Sequence, residues 1–179
     1  VRRRPLAELD KKPDGAGRTR ANAGDASVEI REMKESDLDR IIAIEKKSFV
    51  APWSKRLFRE TLAFPLSFNL VIVKKVDNTV VGYANFYVIG DEAQVLNIAV
   101  DPELRKKGYA AALLGHAIET LEAKDVEDFY LEVRPSNTDA QRLYEGFGFK
   151  RVGIRKKYYP ETNEDAIVMH LKVERGTDK

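Results

Sequence analysis

Leu96-Asn97-Ile98-Ala99-Val100-Asp101-Pro102-Glu103-Leu104-Arg105-Lys106-Lys107-Gly108-Tyr109-Ala110-Ala111-Ala112-Leu113-Leu114 decides the reading of this 179-residue chain. A β-rich run passes through a basic loop with one glycine and straight into a long helix, expected from about Lys107 to Ala123. Leu113, Leu114, Ala117, Ile118 and Leu121 share one face of that helix. The first turn of a helix carries unpaired N–H groups and a partial positive charge, and so accepts phosphate. Gly108 permits a close approach, Ala110 is small, and Arg105, Lys106 and Lys107 add charge. A strand–helix connection with solvated basic residues explains the same letters, and on physical grounds the two readings stand level. Neither a Walker A loop nor a three-glycine dinucleotide fingerprint is present.

Upstream of this stretch, Val28 to Met33 alternates with period two and predicts a half-buried strand. Ser36 with Asp39 predicts a capping box for a helix carrying Leu38, Ile41, Ile42, Glu45 and Phe49. Ala51-Pro52-Trp53-Ser54 breaks it, and Ser54 is placed to cap a second, short helix. Strands follow over Phe68–Lys75, Val80–Ile89 and Ala93–Val100, with turns at Asp77-Asn78 and Gly90-Asp91-Glu92. Downstream come a strand at Phe129–Val133 and a helix at Asn137–Glu145 with Gly146 as its left-handed cap. Strands at Lys150–Tyr159 and Ala166–Val173 finish the chain. The order β-α-α-β-β-β-α-β-α-β-β describes one α/β (α+β) domain over residues 28–175, without repeats or heptads.

Composition narrows the chemistry. There is no cysteine, which excludes disulfides, thiolate metal sites and any covalent cysteine nucleophile. Two histidines, His116 and His170, cannot build a histidine metal site, so no metal is expected, and both read as structural. No apolar run reaches the roughly 18–20 residues of a membrane span, and no secretory signal is evident, so a cytoplasmic protein is expected. Basic residues number 31 against 29 acidic, an almost neutral balance that argues against a dedicated nucleic-acid binder. The excess sits in residues 1–26, with seven basic against four acidic side chains. Residues 1–27 read as a disordered basic tail, capable at most of weak contacts to RNA.

Arg105-x-x-Gly108-x-Ala110, after a strand ending Asn-Ile-Ala-Val-Asp-Pro, resembles the acetyl-CoA pyrophosphate loop of the GNAT acetyltransferases. Three further blocks strengthen the resemblance. They are Ala51-Pro52-Trp53-Ser54; Leu131-Glu132-Val133-Arg134 with Ser136-Asn137, leading to Leu143-Tyr144-Glu145 and Gly148-Phe149; and Tyr158-Tyr159-Pro160 with Asp165 to Met169. Together, over about residues 28–173, they resemble the RimI-type ribosomal-protein-alanine acetyltransferases. The resemblance implies a GNAT fold, a mixed and largely antiparallel sheet flanked by helices, using acetyl-CoA and a protein N-terminus, such as that of a ribosomal protein, as acceptor. It implies that Ile98, Ala99 and Val100 line the pantetheine arm through their backbone. Arg105, Lys106, Lys107, Gly108, Tyr109, Ala110 and Ala111 would hold the pyrophosphate, and Asn137 would bond the cofactor. Glu132 falls on the general-base position, Tyr144 on the general-acid position, and Trp53, Tyr158 and Tyr159 on the peptide cleft. Ala110 stands where glycine is commoner, which is harmless if its φ is negative.

The roles agree with the chemistry. An α-amine, with a pKa of about 7.7–8.0, is partly neutral at pH 7, whereas a lysine near 10.4 is almost wholly charged. A modest base such as Glu132, on the strand face shared with Tyr130 and Arg134, therefore suffices for a chain end. A phenol such as Tyr144 can protonate a leaving thiolate, and direct transfer in a ternary complex follows from the missing cysteine. Plainer readings exist: Glu132 as a partner of Arg134, Tyr144 as core beside Leu143 and Phe147, Trp53 as a packing anchor, and Tyr158 and Tyr159 as strand aromatics. Glu45 lies on the first helix, where a second acid could assist. Two other functional classes compete with N-terminal acetylation: a GNAT acting on a small-molecule amine, and a silent acetyl-CoA-binding module.

Overall fold

The computed structural model describes residues 26–173, and the expected tail therefore falls almost wholly outside the described residues. In chain order the elements are β1 (Val28–Glu32), α1 (Leu38–Ser48), α2 (Lys55–Ala63), β2 (Ser67–Lys74), β3 (Val80–Ile89) and β4 (Glu92–Val100). There follow α3 (Tyr109–Glu122), β5 (Asp128–Val133), α4 (Thr138–Gly146), β6 (Lys150–Tyr159) and β7 (Glu164–Lys172). Short 3-10 turns at Glu35–Asp37 and Pro102–Leu104 lead into the long segments. The seven strands form one sheet in the order β1-β2-β3-β4-β5-β7-β6. Every neighbouring pair is antiparallel except β4 with β5.

Each face of the sheet has its own core. Leu70, Ile72, Ala84, Phe86, Phe129, Leu131 and Met169 pack with α3 and α4. Val71, Val73, Tyr83 and Ala99 face the other way, onto Leu38, Ile41 and Ile44 of α1 and Phe58 of α2. That double burial explains why β2 reads as an unbroken apolar run rather than an alternating one. The β5 strand alternates instead. Phe129, Leu131 and Val133 are buried, while Asp128, Tyr130 and Glu132 occupy the opposite face.

The central ladder is short. Strand β4 meets β5 only at Glu92↔Asp128, Ala93↔Phe129 and Gln94↔Tyr130. Against β3, Asn85 pairs Asn97 and Phe86 pairs Val95, leaving Leu96 as an extra residue. A bulge of this kind bends its strand and sharpens the twist. Beyond Gln94, β4 stays with β3 while β5 stays with β7, and a wedge opens between them.

Several local expectations shift by one or two residues. Ser54 caps α2, accepting from the Leu57 amide at 3.2 Å, as its position implies. The acid closing the turn before α1 is Asp37 and not Asp39: it accepts from the Lys34 amide at 2.8 Å and from Arg31 through both oxygens. Arg31 supplies the reason, because only Asp37 is buried beside it. Gly146 remains within α4, and the left-handed residue is Gly148, at φ +93°. The Gly148 amide bonds the Glu145 carbonyl and the Phe149 amide bonds the Tyr144 carbonyl, a Schellman closure. Its customary apolar contact is Tyr144 against Phe149, with ring centroids 5.7 Å apart. The helix stop thus seats the Tyr144 ring.

Gly148→Ala should therefore cost about 1–2 kcal/mol through left-handed backbone strain. A Cβ there would meet only Leu171 Cδ1, at an ordinary 3.5 Å. Urea denaturation of the two proteins checks the loss, and Gly146→Ala should cost much less.

Candidate active site

The expected phosphate loop lies between β4 and α3. Gly108 is the N-cap of α3 with φ +81°, and Lys106 has φ +62°. No side chain caps the helix. The Ala112 amide is the first to bond within it, to the Gly108 carbonyl at 2.9 Å, so the Ala110 and Ala111 amides have no helix carbonyl to bond. Nothing lies within 4 Å of where a Gly108 Cβ would stand. Ala110 is helical, with no positive φ, so its methyl introduces no strain. Tyr109 turns its ring into the core, leaving its backbone as its contribution to the loop.

Arg105 is exposed, but its guanidinium is tied back to the protein. Its Nε donates to the Val100 carbonyl at 3.2 Å and its Nη2 to Ser48 Oγ at 3.1 Å, tying the loop to β4 and α1. Lys106 and Lys107 are exposed, and with Lys74 and Lys75 they form no ion pair among the described residues. Lys74, Lys75 and Lys107, with Leu104 and Tyr109, line an open depression of about 520 Å³ beside the loop. The field here is positive. These donors suit a pyrophosphate: free helix-start amides, room at Gly108 and unpaired cations.

The wedge supplies a second strip of donors. Ile98, Ala99 and Val100 pair with Ala84, Tyr83 and Gly82 on the β3 side only, which leaves their other backbone edge facing the gap. Across the gap, Asn137 is the N-cap of α4, its Oδ1 accepting from the Ala140 amide at 3.2 Å. That cap occupies one side of the Asn137 amide and leaves its Nδ2 for another partner.

Glu132 projects from β5 on the side away from α3 and α4, and its side chain is 7% exposed. The structure does not pair it with Arg134. Arg155 of β6 reaches it at 3.2 Å, and Gln94 Nε2 of β4 donates to it at 2.7 Å. Gln94 belongs to the last β4–β5 pair, so Glu132 stands where the wedge begins. Tyr144 is 9% exposed, and burial pushes its phenol up to about 12. Its hydroxyl bonds no other described residue and is not sealed from solvent.

Arg134 serves the β6–β7 hairpin. It pairs with Glu161 and Glu164, bonds Thr162, and lies 3.8 Å from the ring centre of Tyr159. Lys157, at φ +49°, interrupts the β6–β7 register between Arg155 and Tyr159. Asp165 holds that bulge through the Lys157 amide and Lys156 Nζ, both at 2.8 Å. The bulge presents Tyr158 and Tyr159 as a T-shaped pair, 5.0 Å apart, with Arg155 5.8 Å from the Tyr158 ring centre. Burial, first of all, holds the Tyr159 phenol well above its ordinary range; Tyr158, Glu132 and Tyr144 add to this and Arg134 opposes it. Tyr159 is thus electrically close to both proposed proton-handling residues. Trp53 lies in the loop between α1 and α2, its ring 5.3 Å from Phe58.

Sequence reasoning missed Gln94, Arg155, Asn97 and Asp165. A polar residue at the last position before the bulge, and a basic one before Lys156-Lys157-Tyr158, were the available signals. Among the described residues, no cluster of three His, Cys, Asp or Glu side chains could hold a metal ion.

Comparison with known proteins places this geometry. The model of the acetyltransferase (GNAT) family matches residues 38–149. The [ribosomal protein bS18]-alanine N-acetyltransferase of Escherichia coli (strain K12) is 39% identical over 147 residues, covering 80% of this chain and 97% of the relative. A crystal structure of the Escherichia coli ribosomal-protein-S18-alanine N-acetyltransferase superposes with a TM-score of 0.77 at 35% identity, covering 85% of this chain and 97% of that one. That of Ard1 from Thermoplasma volcanium gives 0.75 at 25% identity, covering 83% and 100%.

Gly108→Val tests the loop. The protein should fold, with a loss of about 1–2 kcal/mol from the β-branched residue at positive φ. Calorimetry should show acetyl-CoA affinity falling by at least about tenfold, since each 1.4 kcal/mol of lost contact is tenfold. Unchanged affinity in the folded variant would remove the loop from the cofactor site.

Proposed function

Because the chain belongs to the acetyltransferase (GNAT) family, we propose that it acetylates the N-terminal alanine of ribosomal protein bS18 by direct transfer from acetyl-CoA. The observation that carries this reading is the 39% identity running over 97% of a relative named for that reaction. Glu132, held by Gln94 and Arg155 where the wedge begins, and a Tyr144 hydroxyl that bonds no other described residue support it. The reading sets the enzyme to work where ribosomes are assembled.

Acetyl-CoA supplies an acetyl thioester, whose sulfur must leave with a proton. The Ala110 and Ala111 amides, with Lys106 and Lys107, hold the pyrophosphate. The free edge of Ile98–Val100 aligns the pantetheine arm, with Asn137 Nδ2 opposite. Glu132, fixed by Gln94 and Arg155, takes the amine's proton directly or through one water. Arg155 and Gln94 point it. A carboxylate is a weak base, so this arrangement serves an acceptor that is already partly neutral, which an α-amine is and a lysine is not.

Tyr144 holds a proton at its hydroxyl across the working pH range. A phenol near 12 gives that proton to a thiolate with an ordinary pKa of about 8.5 only uphill. Its main contribution is therefore a hydrogen bond that grows as charge develops on sulfur. The proton surrendered by the amine balances the step. Trp53, Tyr158 and Tyr159 border the acceptor path, with Arg134 and Asp165 bracing the hairpin. A narrow aromatic passage admits a chain end more readily than a side chain in mid-chain.

The test is a panel of short peptides. One with the bS18 N-terminal sequence should be acetylated, and replacing its first alanine with a bulky residue should lower kcat/KM by at least about tenfold. Free polyamines should be poor acceptors; preferential turnover of a polyamine would instead support the small-amine reading. Glu132→Gln and Tyr144→Phe should each lower kcat by about 10²–10⁴-fold, the usual worth of such groups, with acetyl-CoA affinity retained. A loss under about threefold would return that residue to a purely structural role.

The pH profile gives a separate check. Activity should rise as the α-amine deprotonates, with an apparent pKa of about 7.7–8.0. Since Tyr144 keeps its proton until pH approaches 12, it should add no descending limb below about pH 10. Alkaline loss with a midpoint near 9, abolished by Tyr144→Phe, would contradict this.

A further inference from the structure

Glu45 is a carboxylate on the penultimate turn of α1 with 0% of its surface exposed, and the chemistry above does not use it. Its Oε1 accepts from the Trp53 amide at 3.2 Å and from Asn97 Nδ2 at 3.0 Å. Trp53 belongs to the 49–54 loop between α1 and α2. Asn97 is the first residue after the β4 bulge, at the lip of the wedge. Asn97 Nδ2 also reaches the Tyr83 hydroxyl at 3.2 Å, and the Tyr83 ring packs edge-on against Phe58, which packs on Trp53. Three residues further along α1, Ser48 accepts from Arg105 of the phosphate loop. The end of α1 therefore touches the acceptor-side loop, the bent strand and the cofactor loop.

The second Glu45 oxygen, Oε2, is buried with no hydrogen-bond partner among the described residues. A carboxyl group is costly to bury, and an unsatisfied oxygen makes it costlier. Leucine or methionine would fill the space without that penalty. What they could not do is accept two hydrogen bonds at one point, from a loop amide and from a strand side chain.

We propose that Glu45 is a positioning residue: it fastens the 49–54 loop to β4 at the mouth of the wedge and so sets the fit of the acceptor's first residues, without handling protons. The inference rests on the reading that this loop borders the acceptor path. Burial, the largest influence on it, pushes the Glu45 carboxyl above its ordinary range, against the neighbouring Tyr83 hydroxyl and the bonds from Trp53 and Asn97.

Trp53 is the chain's one tryptophan, so its emission reports the loop directly. Glu45→Ala should at least double acrylamide quenching of that emission. It should also raise KM for the bS18 peptide by tenfold or more, with kcat within threefold and acetyl-CoA affinity unchanged. Glu45→Gln retains an acceptor oxygen for both donors and should restore both quantities to within threefold of the parent protein. Should Glu45→Ala fail to fold by circular dichroism, Asn97→Ala removes one donor, leaves the glutamate in place, and should show the same split more weakly.

Unchanged quenching in a folded Glu45→Ala protein would overturn the fastening. Increased quenching with unchanged peptide KM would overturn the role toward the acceptor. A hundredfold loss of kcat in both Glu45→Ala and Glu45→Gln would make Glu45 a proton-handling group and overturn the proposal. If the parent protein acetylates no peptide, the acceptor reading fails, while the fluorescence still decides whether the loop is fastened.

Discussion

The wedge between β4 and β5 is the constraint on which the rest depends. Two parallel strands that stayed paired to their ends would satisfy each other's backbone and leave no room for a ligand. Here the pairing ends at Gln94↔Tyr130, and the extra Leu96 carries β4 away with β3. Unpaired strand edges are usually a liability. This one is internal to the sheet and faces a gap, and it is the edge proposed to align the pantetheine arm. The same parting leaves the Glu132 end of β5 without a β4 partner.

Each functional group is held by an interaction that also defines an element. The Schellman closure that stops α4 packs Phe149 onto Tyr144. The last ladder pair before the wedge supplies Gln94 to Glu132. Arg105 joins the β4–α3 loop to the end of β4 and to α1, while Arg40 pairs with Asp101, just before that loop. Side chains locked by packing and by second hydrogen bonds hold their geometry far better than loop residues standing alone. This economy suits a chain of 179 residues, which has little material to spare for separate scaffolding.

Much of this was legible in the letters, because local chemistry determines it. Ser54 caps the helix that its position announces. Asp77-Asn78 makes its turn with Asn78 at φ +58°, and the element order follows from periodicity and turn residues. The partners of Glu132 were not legible. Arg134 is two residues away and on the same nominal face, yet the strand ends at Val133 and Arg134 leaves for the hairpin. Arg155 arrives from two strands across, in a register set by two irregularities in β6. No pattern within β6 specifies where those fall. Gly148 rather than Gly146, and Asp37 rather than Asp39, were lost for a related reason: either residue is chemically suitable, and packing made the choice.

The central claim is that this cleft delivers a chain end, not a lysine, to the acetyl group. Mass spectrometric peptide mapping of one acceptor tests it most directly. A bS18 peptide with a free N-terminus and internal lysines is incubated with the enzyme and acetyl-CoA, and compared with the same peptide blocked at its N-terminus. The α-amine is easier to neutralise by about 2–3 pKa units, and the passage proposed past Trp53, Tyr158 and Tyr159 would favour a terminus. The account predicts acetyl on the first residue of the free peptide and little on the blocked one. Equal or greater modification of the lysines, in either peptide under matched conditions, would contradict it.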